Sequence, residues 1–276
     1  MKDIILKYLF KIVGLSNKNN LRVIILHDIE KKNFETFEKL LDYLSKHFNI
    51  ISPDEFKLYL SGNLKRKNFR NNVLISFDDG YKSQKIITEK FLNPRNIKAI
   101  FFLISDFIKI DSKIDSQKFI RNNLYKKKFT GKLDDEIQNM NYTDVQYLIK
   151  SGHTIGAHTK THSQLSKINE DSDLNTEIFH CKNFLESLFK EIKIEDFAYT
   201  FGDFESINEK SLKIIFKNYK YIYSGLRGNN LNITSRMIRR DAINLSESFE
   251  VVSCYLSGYL DFLYKKKIYT LEEWIK

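Results

Sequence analysis

The sequence has little of the residues that break a chain or cross-link it. Its 276 residues include only two prolines, ten glycines and two cysteines. So few prolines and glycines argue against flexible linkers and disordered stretches, and two cysteines are too few for the disulfide framework of a small secreted domain. Cys181 and Cys254 both stand in apolar helical patterns, which favours buried free thiols.

Long apolar runs are also missing, and none approaches the roughly 20 residues of a membrane-spanning helix. The start of the chain does not resemble a secretory signal, because Lys7 and Lys11 interrupt its apolar stretch and no small-residue cleavage site follows. Residues 1–20 have the pattern of an amphipathic helix, which either packs on the core or lies on a cytoplasmic membrane face. We therefore expect a cytoplasmic protein, and the second alternative would add peripheral contact with an anionic inner membrane.

The positive charge is spread along the chain rather than gathered into a motif. The formal net charge is +10, but the lysines are scattered apart from the runs at 126–128 and 265–267. A basic chain suits nucleic acid, an anionic membrane surface or an acidic polymer. Because no nucleic-acid-binding motif is present, we expect no nucleic-acid partner. Nothing in the sequence implies a protein partner.

Residues 21–276 alternate short apolar runs with helical periodicity. The predicted strands are Arg22–His27, Val73–Phe77, Lys98–Ile104, His153–Ala157, Asp196–Tyr199, Lys220–Ser224 and Met237–Ile243. Helical spacing is clearest over 34–48, 174–188 and 249–263. This alternation predicts an α/β fold of parallel strands with crossover helices, in which about seven strands suit an incomplete barrel. The charged, irregular segment Ser105–Asn141 is predicted to be an insertion over one end, and capping boxes predict helix starts at Thr143, Ser206 and Thr270.

Polar residues that can bind metals or transfer protons follow several of the predicted strands. His27 ends the first strand, Asp78 and Asp79 follow the second, and His158 follows the fourth. Functional residues of parallel α/β barrels gather at the C-terminal ends of the strands. We therefore expect these side chains to meet at one face.

The histidines and aspartates together favour a metal site. His158 and His162 are four residues apart, so both imidazoles can reach one ion from a helical turn or a tight loop. A divalent cation would relieve the repulsion between Asp78 and Asp79 by coordinating one of them, which leaves the other free as a base on a water that the ion activates. Each signal is weak alone, because Asp-Asp-Gly also makes a good turn and most His-x-x-x-His pairs lie on surfaces.

Three segments resemble the motifs of a known enzyme family. "LISFDDGY" and "SGHTIGAHTKTHSQLSKI" resemble the first two motifs of the polysaccharide deacetylases, the NodB-homology enzymes of carbohydrate esterase family 4. "FAYTFGDF" resembles the third motif, and "VIILHDIE" resembles the N-terminal segment of the poly-N-acetylglucosamine deacetylase branch. The likeness runs from about Arg22 to about Ile243. It implies a distorted (β/α)7 barrel that removes N-acetyl groups from amino sugars with one divalent metal ion, zinc or else cobalt, nickel or manganese.

The resemblance also implies a role for each residue that matches a motif. The metal ligands become Asp79, His158 and His162. Asp78 becomes the catalytic base, and backbone N–H groups near Phe201 help to hold the oxyanion. Tyr81 and Phe201 are expected to contact the sugar substrate.

Two positions depart from the third motif of the family. Thr200 stands where proline is usual, and Ala198 stands where many members have an arginine that steadies the catalytic base. Arg239 or Arg240, from the last predicted strand, could replace that arginine, and we expect Arg240 to do so. A surface pair of arginines is the alternative.

The general acid of the family is also displaced. Its C-terminal Leu-x-His is missing, because no histidine follows His180. His27 fills the gap in our interpretation, and Asp28 beside it could orient the ring. His47, His153 and His180 lie within helical or strand patterns and are predicted to be structural.

Three functions are compatible with these residues. The first is a metal-dependent hydrolase that removes N-acetyl groups from an amino sugar in a glycan or glycan precursor. The second is a catalytically inactive carbohydrate-binding barrel, which the changes at Thr200 and Ala198 would suit. The third is a metal-dependent O-acetyl esterase.

Overall fold

The computed structural model describes residues 20–63, 71–125, 133–231, 233 and 236–275. Apart from Asn20, the amphipathic helix predicted over residues 1–20 lies outside this part of the chain, so the membrane contact and the location inferred from it stay predictions. No helix within the described residues is both long enough and apolar enough to cross a membrane. Cys181 and Cys254 are buried and free, as expected.

Parallel strands form one curled sheet in the described part of the chain. The strands are β1 (Leu21–Leu26), β2 (Asn49–Ile50), β3 (Asn72–Phe77), β4 (Ile100–Leu103), β5 (Thr154–Ala157), β6 (Asp196–Ala198), β7 (Tyr221–Tyr223), β8 (Met237–Ile238) and β9 (Asp241–Ala242). Their order is β8-β7-β6-β5-β4-β3-β1-β9, and β2 pairs with the beginning of β3. The first six predicted strands are confirmed with ends that differ by one or two residues.

Consecutive residues join the two ends of the sheet, which closes it into a distorted barrel. β8 pairs with β7 and β9 pairs with β1, yet only Arg239 and Arg240 separate β8 from β9. The single strand predicted over Met237–Ile243 is therefore wrong. Between the two pairings, the N–H groups of Arg239 and Arg240 bond to Asn230 Oδ1 and to the Leu226 carbonyl. The predicted (β/α)7 barrel is confirmed, with this split segment as its last strand.

Strand side chains alternate between the barrel interior and the layer beneath the helices. Leu74 and Ile238 belong to a buried cluster inside the barrel, whereas Ile75 packs in the larger cluster under the helices. Because strand side chains alternate with a period of two, Asp78 and Arg240 continue the inward rows of Leu74 and Ile238. Two charged side chains are thereby directed to the same end of the barrel.

Helices cover the outside of the barrel. They are α1 (Phe34–His47), α2 (Pro53–Leu60), α3 (Lys82–Ile87), α4 (Lys113–Phe119), α5 (Tyr142–Lys150), α6 (Asp171–Leu188), α7 (Glu209–Asn218), α8 (Phe249–Leu256) and α9 (Lys265–Glu273). α3 and α4 continue into the π-helical turns Thr88–Leu92 and Ile120–Leu124. The helix predicted over 249–263 ends early at Leu256, since Gly258 follows with a φ of 79°.

The three predicted helix starts are wrong. Asn141 caps α5 and Asn208 caps α7, each through its side chain and each two residues away from the predicted cap. Asparagine is as good an N-cap as serine and better than threonine, so it takes the position when both are near. Thr270 lies inside α9, where its hydroxyl bonds to the Lys266 carbonyl.

The described parts of the segment Ser105–Asn141, residues 105–125 and 133–141, are more ordered than their composition indicates. They carry α4 and the π-helical turn, and their apolar side chains form a small core with Tyr81. The backbone of Asn139 also forms a β-bridge to Tyr81. The segment is thus packed against the strand end that carries Asp78 and Asp79.

His153 is a buried histidine at the start of β5, in the structural role predicted for it. Its Nδ1 accepts a hydrogen bond from the Ala99 N–H at 3.1 Å, and its Nε2 lies 2.9 Å from Asn93 Oδ1. Burial, aided by the charge of Lys98, lowers the pKa of His153 to about 4.

Acidification should therefore weaken the fold through His153. The folded ring stays neutral to about pH 4, whereas the unfolded ring takes a proton near its ordinary pKa of 6.5. The unfolded state then binds more protons, so the free energy of unfolding falls as the pH drops between these values, by at most about 3 kcal/mol. Urea unfolding of the wild type and of His153→Gln across this range should give a shallower pH dependence in the variant. Parallel curves would contradict the assignment.

Candidate metal centre and catalytic cleft

The carboxyl ends of the strands open into a cleft of about 560 Å³. All side chains to which the sequence assigns a part in the chemistry line it, namely His27, Asp78, Asp79, Tyr81, His158, His162, Phe201 and Arg240. They come from distant positions in the sequence and are brought together because the strands are parallel. The residues meet at one face, as expected.

Asp79, His158 and His162 form a compact group of buried ligand atoms. One ligand atom from each residue lies within 4.8 Å of the others. Asp79 Oδ1 is 3.5 Å from Nε2 of His158 and 3.5 Å from Nε2 of His162. This oxygen is buried and has no hydrogen-bond partner among the described residues. An unpaired buried carboxylate oxygen is costly, and a cation at this point would remove that cost.

Each of the two histidines is oriented by its other ring nitrogen. His158 Nδ1 lies 2.7 Å from the carbonyl oxygen of Ala198, and His162 Nδ1 lies 3.1 Å from the carbonyl oxygen of Asn123. A carbonyl oxygen only accepts, so both Nδ1 atoms carry hydrogen and the Nε2 lone pairs of the neutral rings face Asp79. Metal-binding histidines are commonly held in this way, and two imidazoles with one carboxylate suit zinc or a related divalent ion.

The electrostatics of the group also favour a bound cation. Burial raises the pKa of Asp79, but the nearby imidazoles outweigh it and hold the pKa below its usual range. Burial lowers the pKa of His162 to about 4, so this ring is neutral at physiological pH. For His158, burial lowers the pKa, but the opposing effect of Asp78 and Asp79 is larger, so the pKa lies above its usual value. The carboxylates thus attract positive charge to His158, and a divalent ion would take the place of that proton.

Several residues around the site have a strained, left-handed backbone conformation. Four of the five non-glycine residues with positive φ in the described chain lie here: Asp79 at 79°, Thr159 at 64°, His162 at 67° and Phe201 at 64°. Each left-handed non-glycine residue costs about 1–3 kcal/mol, and such residues cluster at functional sites. The strain turns the Asp79 and His162 side chains toward a common point, which regular strand or helix backbone would not do.

Asp78 has a different partner from Asp79. Arg240 binds it with two hydrogen bonds, Nη1 to Oδ1 at 2.7 Å and Nη2 to Oδ2 at 2.9 Å. The guanidinium is itself buried, and its Nε donates to the Ser224 carbonyl at 3.0 Å. Burial raises the pKa of Asp78, but the Arg240 charge outweighs it and lowers the pKa. Arg239 points to the outside instead, where it pairs with Glu272.

The remaining predicted residues occupy the walls of the cleft. The exposed side chain of His27 lines the cleft together with Asp79, His158 and His162. Asp28 accepts a hydrogen bond from the Ser83 hydroxyl at 2.7 Å, and no bond to the His27 ring is present in the described structure. The Phe201 ring packs edge-on against His162 with centroids 4.6 Å apart, and Tyr81 is almost fully buried. Their roles as acid or substrate contacts stay predictions.

Glu177 is a site residue that the sequence reasoning missed. From α6, its carboxylate accepts hydrogen bonds from the N–H groups of Lys160 at 3.1 Å and Thr161 at 2.9 Å, and from the Thr161 hydroxyl at 2.6 Å. It therefore holds the loop between His158 and His162. A signal was available, since Glu177 is a charged residue on the apolar side of α6 with Leu174 and Cys181.

Two further side chains hold the same loop from other directions. Asn123, in the π-helical turn of the insertion, donates from Nδ2 to the Thr161 carbonyl at 2.8 Å. Its own carbonyl accepts from His162, so one residue binds the loop twice. Thr200 donates from its hydroxyl to the Ser163 carbonyl at 2.6 Å. The threonine that replaces the usual proline thus joins the third motif to the second.

Comparisons with solved structures find the same fold in several proteins. IcaB from Ammonifex degensii has a TM-score of 0.63 at 18% identity, over 87% of this chain and 98% of the other. The Streptococcus pyogenes deacetylase PplD has a TM-score of 0.65 at 18% identity, over 86% of this chain and 98% of the other. A de-N-acetylase from Aggregatibacter actinomycetemcomitans has a TM-score of 0.66 at 14% identity, over 86% of this chain and 100% of the other. No curated protein sequence gives a significant match.

The barrel, its open cleft and the aspartate beside the Asp-His-His group are the features of a carbohydrate deacetylase. The sequence profile of the polysaccharide deacetylases matches residues 65–224, which is more than half of the chain. The chain belongs to the polysaccharide deacetylase family. The resemblance drawn from the three motifs is therefore confirmed.

The hydrogen bonds of Glu177 predict an effect on metal affinity. Glu177→Gln replaces one accepting oxygen by an amide that cannot accept, so the loop between the ligands should loosen and affinity for Co²⁺ or Zn²⁺ should fall roughly 10–100-fold. Titration against a competing chelator would measure this. Glu186→Gln is the matched control, because Glu186 lies on the same helix and, among the described residues, its carboxylate bonds to the Ile194 N–H, away from the loop. Equal metal affinity in both variants would contradict the proposed role.

Proposed function

We propose that the protein removes N-acetyl groups from an amino sugar of a glycan or glycan precursor, with one divalent ion held by Asp79, His158 and His162. The observation that carries this proposal is the unequal environment of two adjacent buried aspartates. Asp78 is paired with Arg240, whereas Asp79 Oδ1 faces two imidazoles and has no hydrogen-bond partner in the described chain. The ligand set favours zinc, with cobalt, nickel or manganese as substitutes.

Asp78 is proposed to be the general base. When bound, the divalent ion supplies a Lewis acid that polarises the acetyl carbonyl. Asp78 takes the proton of the attacking water, and the two hydrogen bonds from Arg240 hold its carboxylate in one orientation. The low pKa of Asp78 keeps its carboxylate ionised. The backbone near Phe201 borders the same space and is proposed to stabilise the oxyanion.

His27 is proposed to be the general acid. The amine of an amino sugar is a poor leaving group, so its nitrogen must receive a proton as the C–N bond breaks. Histidine suits this transfer because its ordinary pKa is about 6.5. Among the histidines outside the metal group, His27 lies at the end of a barrel strand and lines the cleft. Its exposed ring can reach a sugar that enters from solvent.

The two alternative functions are distinguished by particular observations. An inactive binding barrel has no need of a buried base held by a bidentate arginine, so the Asp78–Arg240 pair favours the enzyme. An O-acetyl esterase would use the same metal group but would release an alcohol, which does not require a strong acid on the leaving-group side. His27 in the cleft, and a fold shared with a protein named a de-N-acetylase, support amide cleavage. Product analysis decides, since one reaction releases an amine and the other a hydroxyl.

The division of labour between the aspartates can be tested directly. Asp78→Asn should retain the metal and lose roughly 10²–10⁴-fold in turnover, because it removes a base and leaves the ligands intact. Asp79→Asn should weaken metal binding instead. Elemental analysis and acetate release from N-acetylated sugars measure the two effects separately. Equal loss of metal in both variants would contradict the assignment of base and ligand. Absence of metal from wild-type protein that has never been exposed to a chelator would contradict the proposed metal centre.

The role of His27 predicts a loss of turnover without a loss of metal. His27→Ala should cut amide hydrolysis strongly, since the leaving nitrogen would no longer be protonated, and His27→Gln should not rescue it. Hydrolysis of an activated acetyl ester, whose leaving group needs no proton, should be affected much less. If amide and activated ester slowed equally, or if neither changed, another residue would have to be the acid.

A further inference from the structure

A surface beside the cleft exposes apolar and basic side chains together. Three large apolar side chains lie exposed within one short segment: Phe262 (62% exposed), Leu263 (58%) and Tyr269 (63%). Lys265 and Lys266 stand between them in the sequence and are also exposed. These five residues are named the basic–aromatic patch.

The patch forms the outer side of α9 and of the 3-10 turn Asp261–Leu263 that precedes it. The inner side of α9 is anchored by Ile268 and Leu271, which are buried in the core. Lys266 and Tyr269 are three residues apart on α9 and so project in one direction, and Phe262 and Leu263 lie in the turn that leads into this helix. The patch is therefore the exposed side of an anchored helix rather than a loose chain end.

The two lysines of the patch keep their charge uncompensated. The neighbouring charges are already paired, Lys267 with Glu205 at 2.9 Å and Glu272 with Arg239 at 2.9 Å. Asp261 pairs with the buried Arg22 at 2.8 Å. Within the described residues, Lys265 and Lys266 form no ion pair. The surface thus combines exposed apolar area with free positive charge.

The patch borders the mouth of the catalytic cleft. Tyr264, which lies between its two halves in the sequence, lines the cleft. Trp274, at the end of α9, stacks on Phe204 with ring centroids 5.2 Å apart, and Lys267 pairs with Glu205. Because Phe204 is the last residue of the third motif and Glu205 follows it, α9 is fixed to the catalytic end of the barrel.

We propose that the basic–aromatic patch docks on an anionic membrane surface and turns the cleft toward it. Aromatic and leucine side chains enter the interfacial region of a bilayer, while lysines attract anionic headgroups. A nucleic acid or acidic polymer would satisfy the lysines but leave Phe262 and Leu263 in water. A second copy of the chain would cover the apolar residues but oppose like charges across a two-fold interface. An anionic bilayer satisfies both sets of side chains.

Vesicle sedimentation tests this proposal without reference to the enzyme activity. The full chain should bind phosphatidylcholine vesicles that contain phosphatidylglycerol and should not bind phosphatidylcholine alone. Binding should weaken as salt is raised from 0.1 M to 1 M, because the screening length falls from about 10 Å to about 3 Å. Absence of binding to the anionic vesicles at low salt would overturn the proposal.

Matched variants assign the binding to the patch. Lys265→Gln with Lys266→Gln should weaken binding about fivefold for each lysine, or about 25-fold together. Lys190→Gln with Lys193→Gln removes the same charge from the opposite end of the barrel, before β6, and should have little effect. Phe262→Ser with Leu263→Ser should also weaken binding, whereas Leu58→Ser, at an exposed site on α2, should not. Equal effects in the patch and control variants would overturn the assignment.

A fluorescence experiment locates the contact. The chain has a single tryptophan, Trp274, so Trp274→Phe with Phe262→Trp places the only indole in the patch. Brominated lipid should quench this variant and should not quench Trp274→Phe with Leu58→Trp. Vesicle binding without quenching at position 262 would assign the contact to another part of the chain and overturn the proposal. So would a dimer that dissociates on Phe262→Ser, or binding to a soluble polyanion but not to vesicles.

Discussion

Two adjacent carboxylates, buried at the end of one strand, set the requirement that the rest of the site satisfies. Each must meet positive charge or remain protonated, because an isolated buried carboxylate is very costly. The chain supplies an arginine to Asp78 with two short hydrogen bonds. To Asp79 it supplies two imidazole nitrogens at 3.5 Å, and Asp79 Oδ1 has no hydrogen-bond partner among the described residues. An added cation would complete the second environment, and this difference separates a base from a ligand in the proposed function.

The segment that joins the two ends of the sheet also carries the arginine that pairs with Asp78. Arg240 lies between β8 and β9, at the point where the chain passes from one edge of the sheet to the other. Its side chain continues the inward row of Ile238 and therefore reaches Asp78 across the barrel. A barrel that failed to close would leave the Asp78 carboxylate without its arginine. The stability of the fold and the orientation of the proposed base thus depend on one segment.

The sequence predicted the residues that touch the reaction better than the residues that hold them. Motif spacing and strand ends brought His27, Asp78 and His158 to one face, because parallel strands leave few other arrangements. The positioning of the loop by Glu177 and Asn123 depends on contacts between distant segments. The apolar side of α6 marks Glu177 as unusual, but no local pattern specifies what either residue contacts. The strand split near Arg240 was missed for a related reason. Apolar periodicity reports which residues are buried, but not which of two neighbours a strand pairs with.

The departures from the family motifs are compensated in the structure. Proline in the third motif would fix the backbone but could donate no hydrogen bond. Thr200 instead ties the third motif to Ser163, next to the ligand His162. Ala198 supplies no guanidinium, but Arg240 supplies one from the last strand, and the Ala198 carbonyl orients His158. Each change in a motif is matched by a new contact that serves the same group of atoms. A barrel that had lost its chemistry would be under no constraint to keep Asp78 paired, His158 and His162 oriented and the loop between them held from three sides.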